Sequence, residues 1–217
     1  MTSRGFRVAQ AFELAVVRHG RTAWNVDGRF QGQSDVPLDA QGRAQAAALG
    51  RALVNDRYDV AVASDLERAR ETARIVVGAR TLPLDLDPRW REMRFGTWEG
   101  LTWAQIVERQ PELAERGAST PRFYTPPEGE SFDDVCARVS EALAALAARL
   151  HSGGRALVVT HAGVLHALLR VALGESEAAA LGVKFAPGTV TRLALGAAGG
   201  EVLQLNWAPR DVRDVPA

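Results

Sequence analysis

The chain has 217 residues, with 26 basic and 26 acidic side chains, so its formal net charge is zero. This balance gives no overall field for nucleic acid or an anionic membrane, and no apolar run reaches the length of a transmembrane helix. The single cysteine excludes an intrachain disulfide, and residues 1–10 lack the apolar core of a signal peptide, so we expect a cytoplasmic protein.

Apolar runs alternate with amphipathic, Ala-rich segments along the chain, and this alternation predicts a mainly parallel sheet. Strands are expected at 14–17, 58–63, 82–86 and 156–160, with a closing hairpin at 190–195 and 201–205. Helices are expected at 39–53, 66–77, 103–108, 131–150 and 163–173. Asp39 is the expected N-cap of the first helix, and Ser131 with Asp134 forms an expected capping box. We therefore predict a three-layer α/β/α fold with helices on both faces of the sheet.

Three connecting segments have the composition of loops. Residues 21–38 are rich in Gly, Asn and Asp, and residues 117–131 are rich in Pro, Gly and Ser, which predicts a mobile flap there. Residues 87–100 hold charged and aromatic side chains without periodicity, so we expect a functional loop. No internal repeat or low-complexity linker divides the chain. We expect one domain over residues 1–217, with loose ends at 1–11 and 209–217.

Polar side chains follow several of the predicted strands. Arg18 and His19 come directly after the first apolar run, and His161 follows the run at 156–160. Another run leads through Ser64 into a helix that carries Arg68. Ligands of open α/β sheets bind at the carboxyl ends of the strands, so we predict the active site at this edge.

Two arginines and two histidines at one edge favour a phosphoryl group as the ligand, because guanidinium groups bind its oxygens in pairs. His19 can act as a nucleophile when a hydrogen bond fixes one ring nitrogen and the other faces phosphorus. We predict Glu92 as the acid that protonates the leaving group, with Glu99 as its competitor. His161 is the expected donor to the equatorial oxygens. This scheme requires no metal ion and no other cofactor.

Other residues have alternative interpretations. His166 is expected to pack or face solvent, and His151 to lie at the surface. Three aromatic residues belong either to the core or to an apolar wall of the pocket: Trp24, Trp98 and Trp103. A zinc site is disfavoured because the histidines lack H-x-x-x-H spacing and no cysteines cluster near them.

The ordered set of motifs resembles the signature of the histidine phosphatase superfamily, which has the phosphoglycerate-mutase-like fold. The similar segments span residues 14–163 and occur in the order of the family: Val17-Arg18-His19-Gly20 with Thr22 and Trp24-Asn25, Phe30-Gln31-Gly32, Ser64-Asp65-Leu66-x-Arg68-Ala69-x-x-Thr72, Glu92 to Gly100, and Thr160-His161-Ala162-Gly163. One Arg-His-Gly alone is a weak signal, whereas the ordered set is a strong one.

The resemblance implies roles for individual residues. His19 becomes the phosphohistidine, and Glu92 becomes the proton donor. The phosphate pocket is completed by Arg18, Arg68 and His161. Further contacts to the phosphate are implied for Asn25, Gln31 and Gly32.

Three departures from the mutase pattern favour a phosphatase. Glu92 is followed by Met-Arg-Phe-Gly rather than Arg-His-Tyr-Gly, and His161 is followed by Ala-Gly rather than Gly-Asn. Gln31 stands where mutases carry Ser or Thr. These features are similar to the alpha-ribazole and broad-specificity phosphatases of the family. Arg21 fits neither branch, which usually has Glu or Gln there, and we expect it and Thr22 to bind substrate, with Arg21 adding positive charge at the mouth.

We therefore predict a metal-independent phosphomonoesterase that acts on a small phosphorylated metabolite through a phosphohistidine. Phosphoglycerate mutase-type transfer is one alternative, and a non-catalytic phospho-ligand-binding protein is another. The expected partner is a small phosphate monoester. The sequence defines neither the leaving group nor the oligomeric state, for which a homodimer is one option.

Overall fold

The computed structural model describes residues 6–115 and 124–209, and a six-stranded sheet lies at its centre. The strands are β1 (Phe12–Arg18), β2 (Val60–Ala63), β3 (Leu84–Leu86), β4 (Gly154–Thr160), β5 (Val190–Gly196) and β6 (Gly199–Trp207). The helices are α1 (Ala23–Val26), α2 (Ala40–Ala52), α3 (Glu67–Val77), α4 (Trp103–Arg109), α5 (Glu112–Glu115), α6 (Phe132–Ala147), α7 (Ala162–Leu173) and α8 (Glu175–Ala180). Short 3₁₀ turns occur at Pro88–Trp90 and Gly96–Trp98.

The strand order β3-β2-β4-β1-β5-β6 places β1 and β4 at the centre of the sheet. Strands β1 to β4 run parallel, whereas β5 and β6 form the predicted antiparallel hairpin at one edge. Arg18 of β1 pairs with Thr160 of β4, and Ala63 of β2 pairs with Val159. These three strands therefore end at the same edge, and the residues that follow them meet there, as predicted.

Alternate residues of the central strand pack into two separate cores. Leu14 and Val16 belong to the core that contains residues of α6 and α7. Ala15 and Val17 belong to the core that contains residues of α2 and α3. Because successive side chains of a strand point to opposite faces, helices cover the sheet on both sides. The three-layer α/β/α prediction is confirmed.

Side-chain caps define where several helices begin. The Asp39 carboxylate accepts a hydrogen bond from the Gly42 amide at 2.7 Å, and Ser131 with Asp134 forms a reciprocal capping box at α6. Both caps are as predicted. The loop prediction for 21–38 was incomplete, because Thr22 and Asn25 form a further capping box that starts the short helix α1. Helices α5 and α8 were not predicted.

The segments that were expected to be loose lie partly outside the described residues. Residues 1–5, 210–217 and residues 117–123 of the predicted flap are among those not described. Within the lead-in, the amide of Phe6 donates to the Val171 carbonyl at 2.7 Å. Within the flap, the amide of Glu130 donates to the Arg94 carbonyl at 2.9 Å, which attaches this part of the chain to the loop at 87–100. No helix in the described ranges has the length and apolar character needed to cross a membrane.

Candidate active site

His19 directly follows β1 and is only 2% exposed. Its Nδ1 atom lies 2.7 Å from the carbonyl oxygen of Gly20, and because a carbonyl only accepts, the ring proton is on Nδ1. The Nε2 atom therefore carries a free lone pair. Burial, together with the charges of Arg68 and Arg18, lowers the pKa of His19 well below its ordinary value. The neutral ring can act as a nucleophile at neutral pH.

The backbone after His19 is held by close packing against α2 and α3. A Cβ atom at Gly20 would lie 2.3 Å from the carbonyl oxygen of Gly42 in α2, so only glycine fits here. The Gly20 amide also donates to the hydroxyl of Thr72 in α3 at 3.1 Å. These contacts hold the Gly20 carbonyl in place, and this carbonyl orients the ring of His19.

His161 follows β4, is fully buried, and has its ring centroid 5.0 Å from that of His19. Its Nε2 atom lies 2.8 Å from the Ser64 Oγ atom, which also accepts the Leu66 amide at 3.3 Å. The Ser64 hydroxyl can donate its proton to Nε2, and this arrangement leaves the ring proton of His161 on Nδ1. That Nδ1 atom is buried and has no partner within the described residues. Burial and the Arg68 charge lower the pKa of His161 well below its ordinary value, so the ring is neutral.

Two arginines place buried positive charge in the site. Arg68 of α3 donates to the carbonyls of Ser34 at 2.8 Å and Gly32 at 2.6 Å, and Arg18 donates to the Phe185 carbonyl. Burial lowers the pKa of each guanidinium to about 10, so both stay charged at neutral pH. The Nε atoms of both side chains are buried and unpartnered within the described residues. Buried N–H groups of this kind can bind the oxygens of a dianion.

The Phe185 segment that meets Arg18 is held by a side chain at the end of β6. Asn206 Nδ2 donates to the Lys184 carbonyl at 3.1 Å, and Asn206 Oδ1 accepts the Ala186 amide at 2.9 Å. The backbone of Asn206 has a φ of 50°, a conformation that asparagine tolerates better than most residues. Asn206 thus positions the carbonyl that fixes the Arg18 guanidinium.

Glu92 lies in the predicted functional loop and is 8% exposed. Its Oε1 accepts the Met93 amide at 2.9 Å, and its Oε2 accepts the amide of Gly163, in the first turn of α7, at 3.2 Å. Arg138 of α6 donates to the Glu92 carbonyl at 3.1 Å, and Arg91 pairs with Asp65 at 2.6 Å. The loop is therefore attached to two helices and to the end of β2, and this geometry holds the carboxyl group in place.

Glu99 has a different environment. Its carboxylate accepts the amides of Gln33 at 3.0 Å, Ser34 at 2.9 Å and Phe95 at 3.1 Å, as well as the Ser34 hydroxyl. A carboxylate that accepts this many hydrogen bonds connects two loops and has little capacity left to deliver a proton. The geometry therefore favours Glu92 over Glu99 as the acid.

Among the other predicted substrate-binding residues, Gln31 is 7% exposed and its Oε1 atom has no partner within the described residues. Gly32 has a φ of 51°, and its carbonyl accepts from Arg68. Asn25 uses Oδ1 in the capping box with Thr22, which leaves its Nδ2 group as a donor. Thr22 is fully buried and uses its hydroxyl in that cap, so it holds Asn25 in place.

The positive charge that was expected at Arg21 is paired in the structure. Its Nε atom lies 2.7 Å from Asp39 Oδ2, so the charge is paired with the residue that caps α2. The backbone amide of Arg21 also donates to Gln45 at 2.8 Å. Arg21 therefore connects the segment that follows His19 to α2.

The structure places the other histidines and two of the tryptophans. His151 is exposed, as expected, and His166 packs its ring on Phe185 with centroids 5.0 Å apart. Trp98 is buried in a small apolar cluster that includes Ile106, and the partly buried Trp103 packs against this cluster. Within the described ranges, no group of three or more His, Cys, Asp or Glu is arranged to hold a metal ion.

Some residues of the site were not predicted from the sequence. Ser64 was noted only because it follows a strand, and its contact with His161 was not foreseen. Arg138 had no sequence signal, because it lies on a regular amphipathic helix and three of its acceptors are carbonyls far away in the chain. Phe185 contributes only its backbone carbonyl, which no side-chain pattern reveals.

Comparison with known proteins agrees with this site. Residues 14–208 match the family model of the histidine phosphatase superfamily (branch 1). The chain is 37% identical over 172 residues to a metal-independent phosphoserine phosphatase of Arabidopsis thaliana, covering 77% of this chain and 72% of the relative. It is 35% identical over 161 residues to the adenosylcobalamin/alpha-ribazole phosphatase of Escherichia coli (strain K12), covering 74% and 79%. The solved structure of Bacillus stearothermophilus YhfR has a TM-score of 0.81 and 33% identity, covering 91% of this chain and 98% of that chain.

The fold and the pair of histidines with buried arginines define a phosphoryl-binding α/β protein. The family match over most of the chain is more specific: this protein belongs to the histidine phosphatase superfamily, branch 1.

Proposed function

We propose that the protein is a metal-independent phosphomonoesterase that hydrolyses a small phosphorylated metabolite through a phosphohistidine. One observation carries this proposal. The neutral ring of His19, with Nδ1 held by Gly20, shares its site with buried side-chain nitrogens of Arg18, Arg68 and His161 that have no partner among the described residues, and those of the two arginines are N–H donors. A phosphoryl group would satisfy these donors and present phosphorus to the Nε2 atom.

In the first step, His19 Nε2 attacks phosphorus and a nitrogen–phosphorus bond forms. The bond from phosphorus to the alcohol oxygen breaks, and its electron pair leaves with that oxygen. Glu92 in its protonated form transfers its proton to the departing oxygen. Arg18, Arg68 and His161 bind the equatorial oxygens, where charge develops in the transition state.

In the second step, a water molecule takes the place of the alcohol. The oxygen of the water attacks phosphorus, and Glu92, now a carboxylate, accepts a proton from the water. The nitrogen–phosphorus bond breaks, inorganic phosphate leaves, and His19 returns to its neutral form. The overall result is hydrolysis of one ester bond, with Glu92 serving as acid and then as base.

The two arginines support a mechanism without a metal ion, because they supply the positive charge that phosphoryl transfer requires. Both named relatives are phosphatases, and one is a metal-independent phosphoserine phosphatase. We further propose a cytoplasmic location, which is supported by a single, unpaired cysteine. The proposed partner is a small phosphate monoester.

The test is an assay of phosphate release from a panel of monoesters in the presence of a chelator. We expect activity to persist with chelator and to fall by about 10³-fold or more in His19→Gln. His151→Gln is the matched control, because this exposed histidine lies outside the site. With 3-phosphoglycerate, inorganic phosphate is the expected product. Formation of 2-phosphoglycerate without net phosphate would instead show a mutase, and an active His19→Gln variant would overturn the proposal.

A further inference from the structure

Two cavities flank the residues described above. One, of about 480 Å³, is lined by Glu92 and Gly163 and lies beside α7. The other, of about 690 Å³, is lined by Arg18, Arg21 and Asn25. Their volumes are each within the range of small-ligand sites.

The chemistry of the leaving group distinguishes the two cavities. A proton can pass only to an oxygen within hydrogen-bond reach of its donor, so the departing alcohol oxygen must lie next to the Glu92 carboxyl group. The cavity that Glu92 lines therefore faces the alcohol part of the substrate. The larger cavity borders Arg18 and Asn25, which can bind phosphoryl oxygens but cannot donate a proton to the leaving group at neutral pH.

The wall of the Glu92 cavity is mainly apolar. It is formed by two aromatic rings, two aliphatic side chains and a thioether: Phe95, Phe132, Leu169, Val183 and Met93. His166 and Lys184 are its polar side chains besides Glu92. The His166 ring packs on Phe185, and Lys184 is exposed and also lines the larger cavity.

Resting on the proposed function, we propose that this cavity binds the leaving group and selects monoesters of bulky apolar alcohols over those of small polyols. An apolar leaving group gains free energy by leaving water for this wall. A polyol would lose hydrogen bonds to water that Phe95, Phe132 and Leu169 cannot replace. The named residues thus determine specificity, whereas His19 and Glu92 perform the chemistry.

The direct test is a series of straight-chain alkyl phosphates from ethyl to hexyl. Their alcohols have similar acidity, so differences in kcat/KM report the binding of the chain and not the chemistry of the leaving group. We expect kcat/KM to rise by about fourfold for each added methylene until the cavity is filled, which is the gain for burying one such group. Glycerol phosphate is expected to be a poorer substrate than propyl phosphate.

Two variants test whether the alkyl chain binds in this cavity. Val183→Asn and Phe132→Gln place an amide in the cavity wall at partly buried positions, and each is expected to flatten the dependence on chain length. Val54→Asn is the matched control, because Val54 is 60% exposed and outside this cavity. The dependence in this control is expected to equal that of the parent protein.

The outcomes separate this inference from the proposed function. A flat series in the parent protein, together with loss of all activity in His19→Gln, would overturn the apolar leaving-group site and leave the phosphatase intact. A rising series that neither cavity variant changes would place the alkyl chain elsewhere and also overturn it. Hydrolysis that survives His19→Gln would instead overturn the proposed function.

Discussion

The Nε2 atom of His161 lies 2.8 Å from the hydroxyl oxygen of Ser64, a contact through which Ser64 can hold the ring proton of His161 on Nδ1. Ser64 also accepts the Leu66 amide, and its own proton can be donated to Nε2. In that arrangement His161 has an N–H group at Nδ1 and can donate to a phosphoryl oxygen while it remains uncharged. A neutral donor is consistent with the lowered pKa of this buried ring.

Ser64→Ala tests this relationship. Without the hydroxyl, the proton of His161 is free to move to Nε2, and we expect kcat to fall roughly 10- to 100-fold. The folded state is expected to lose about 1 kcal/mol. Steady-state kinetics and urea denaturation measure the two effects. Ser131→Ala removes a hydroxyl that caps α6 and is expected to have a similar effect on stability, about 1 kcal/mol, without changing kcat. Equal kcat values in both variants would contradict the role of Ser64.

The two glutamates of the 87–100 loop are expected to respond differently to the same substitution. Glu92→Gln removes the proton donor, so kcat/KM for alkyl phosphates should fall by about 10²- to 10⁴-fold. With dinitrophenyl phosphate, whose leaving group needs no proton, the decrease in kcat/KM should be much smaller, because kcat/KM reports the steps up to departure of the leaving group and not hydrolysis of the phosphohistidine. Glu99→Gln turns an amide toward backbone N–H donors, and we expect a loss of about 1–3 kcal/mol in stability. An equal decrease of kcat/KM with both substrates in Glu92→Gln would argue against an acid role.

Stability is expected to depend on pH through the two buried histidines. Burial lowers the pKa of His19 and of His161 in the folded state, whereas in the unfolded chain each titrates near its ordinary value of about 6.5. Below that pH the unfolded chain takes up protons that the folded protein excludes. The free energy of unfolding is therefore at its full value above pH 6.5 and decreases as the pH falls, by up to about 1.4 kcal/mol per pH unit for each histidine.

Urea denaturation between pH 7.5 and pH 5, without phosphate in the buffer, measures this dependence. In His19→Gln, the free energy of unfolding is expected to depend less steeply on pH than in the parent protein. The reason is that the unfolded variant no longer takes up a proton at residue 19. His151→Gln, at the exposed histidine, serves as the control and should retain the steep dependence. A His19→Gln variant as steep as the parent protein would show that His19 is not held neutral by the fold.

The fold and the centre of the site could be predicted because their signals are local. An apolar run followed at once by Arg18 and His19, and another followed by His161, predicts strands with polar residues at their carboxyl ends. Parallel strands that end at one edge then bring these residues together. In the structure, Arg18 at the end of β1 pairs with Thr160 at the end of β4, so these two strands end side by side.

The remaining contacts depend on residues that are distant in the chain. Glu92 and Glu99 lie in one loop, and contacts with distant residues distinguish them: Glu92 accepts the Gly163 amide, whereas Glu99 accepts the Ser34 amide. The charge of Arg21 is paired with Asp39 across a loop, which its type and position alone do not indicate. Such contacts form only when the tertiary structure is complete, so propensity and periodicity do not reveal them.

The central claim is that His19 carries the phosphoryl group during turnover. Its most direct test is rapid mixing with a ³²P-labelled monoester, followed by denaturation in base and peptide mapping of the trapped label. We predict a phosphorylated peptide that contains His19, with the acid lability and base stability of phosphohistidine, and no label in His19→Gln. A label on another residue, or hydrolysis with a full burst of alcohol and no labelled protein, would contradict the account.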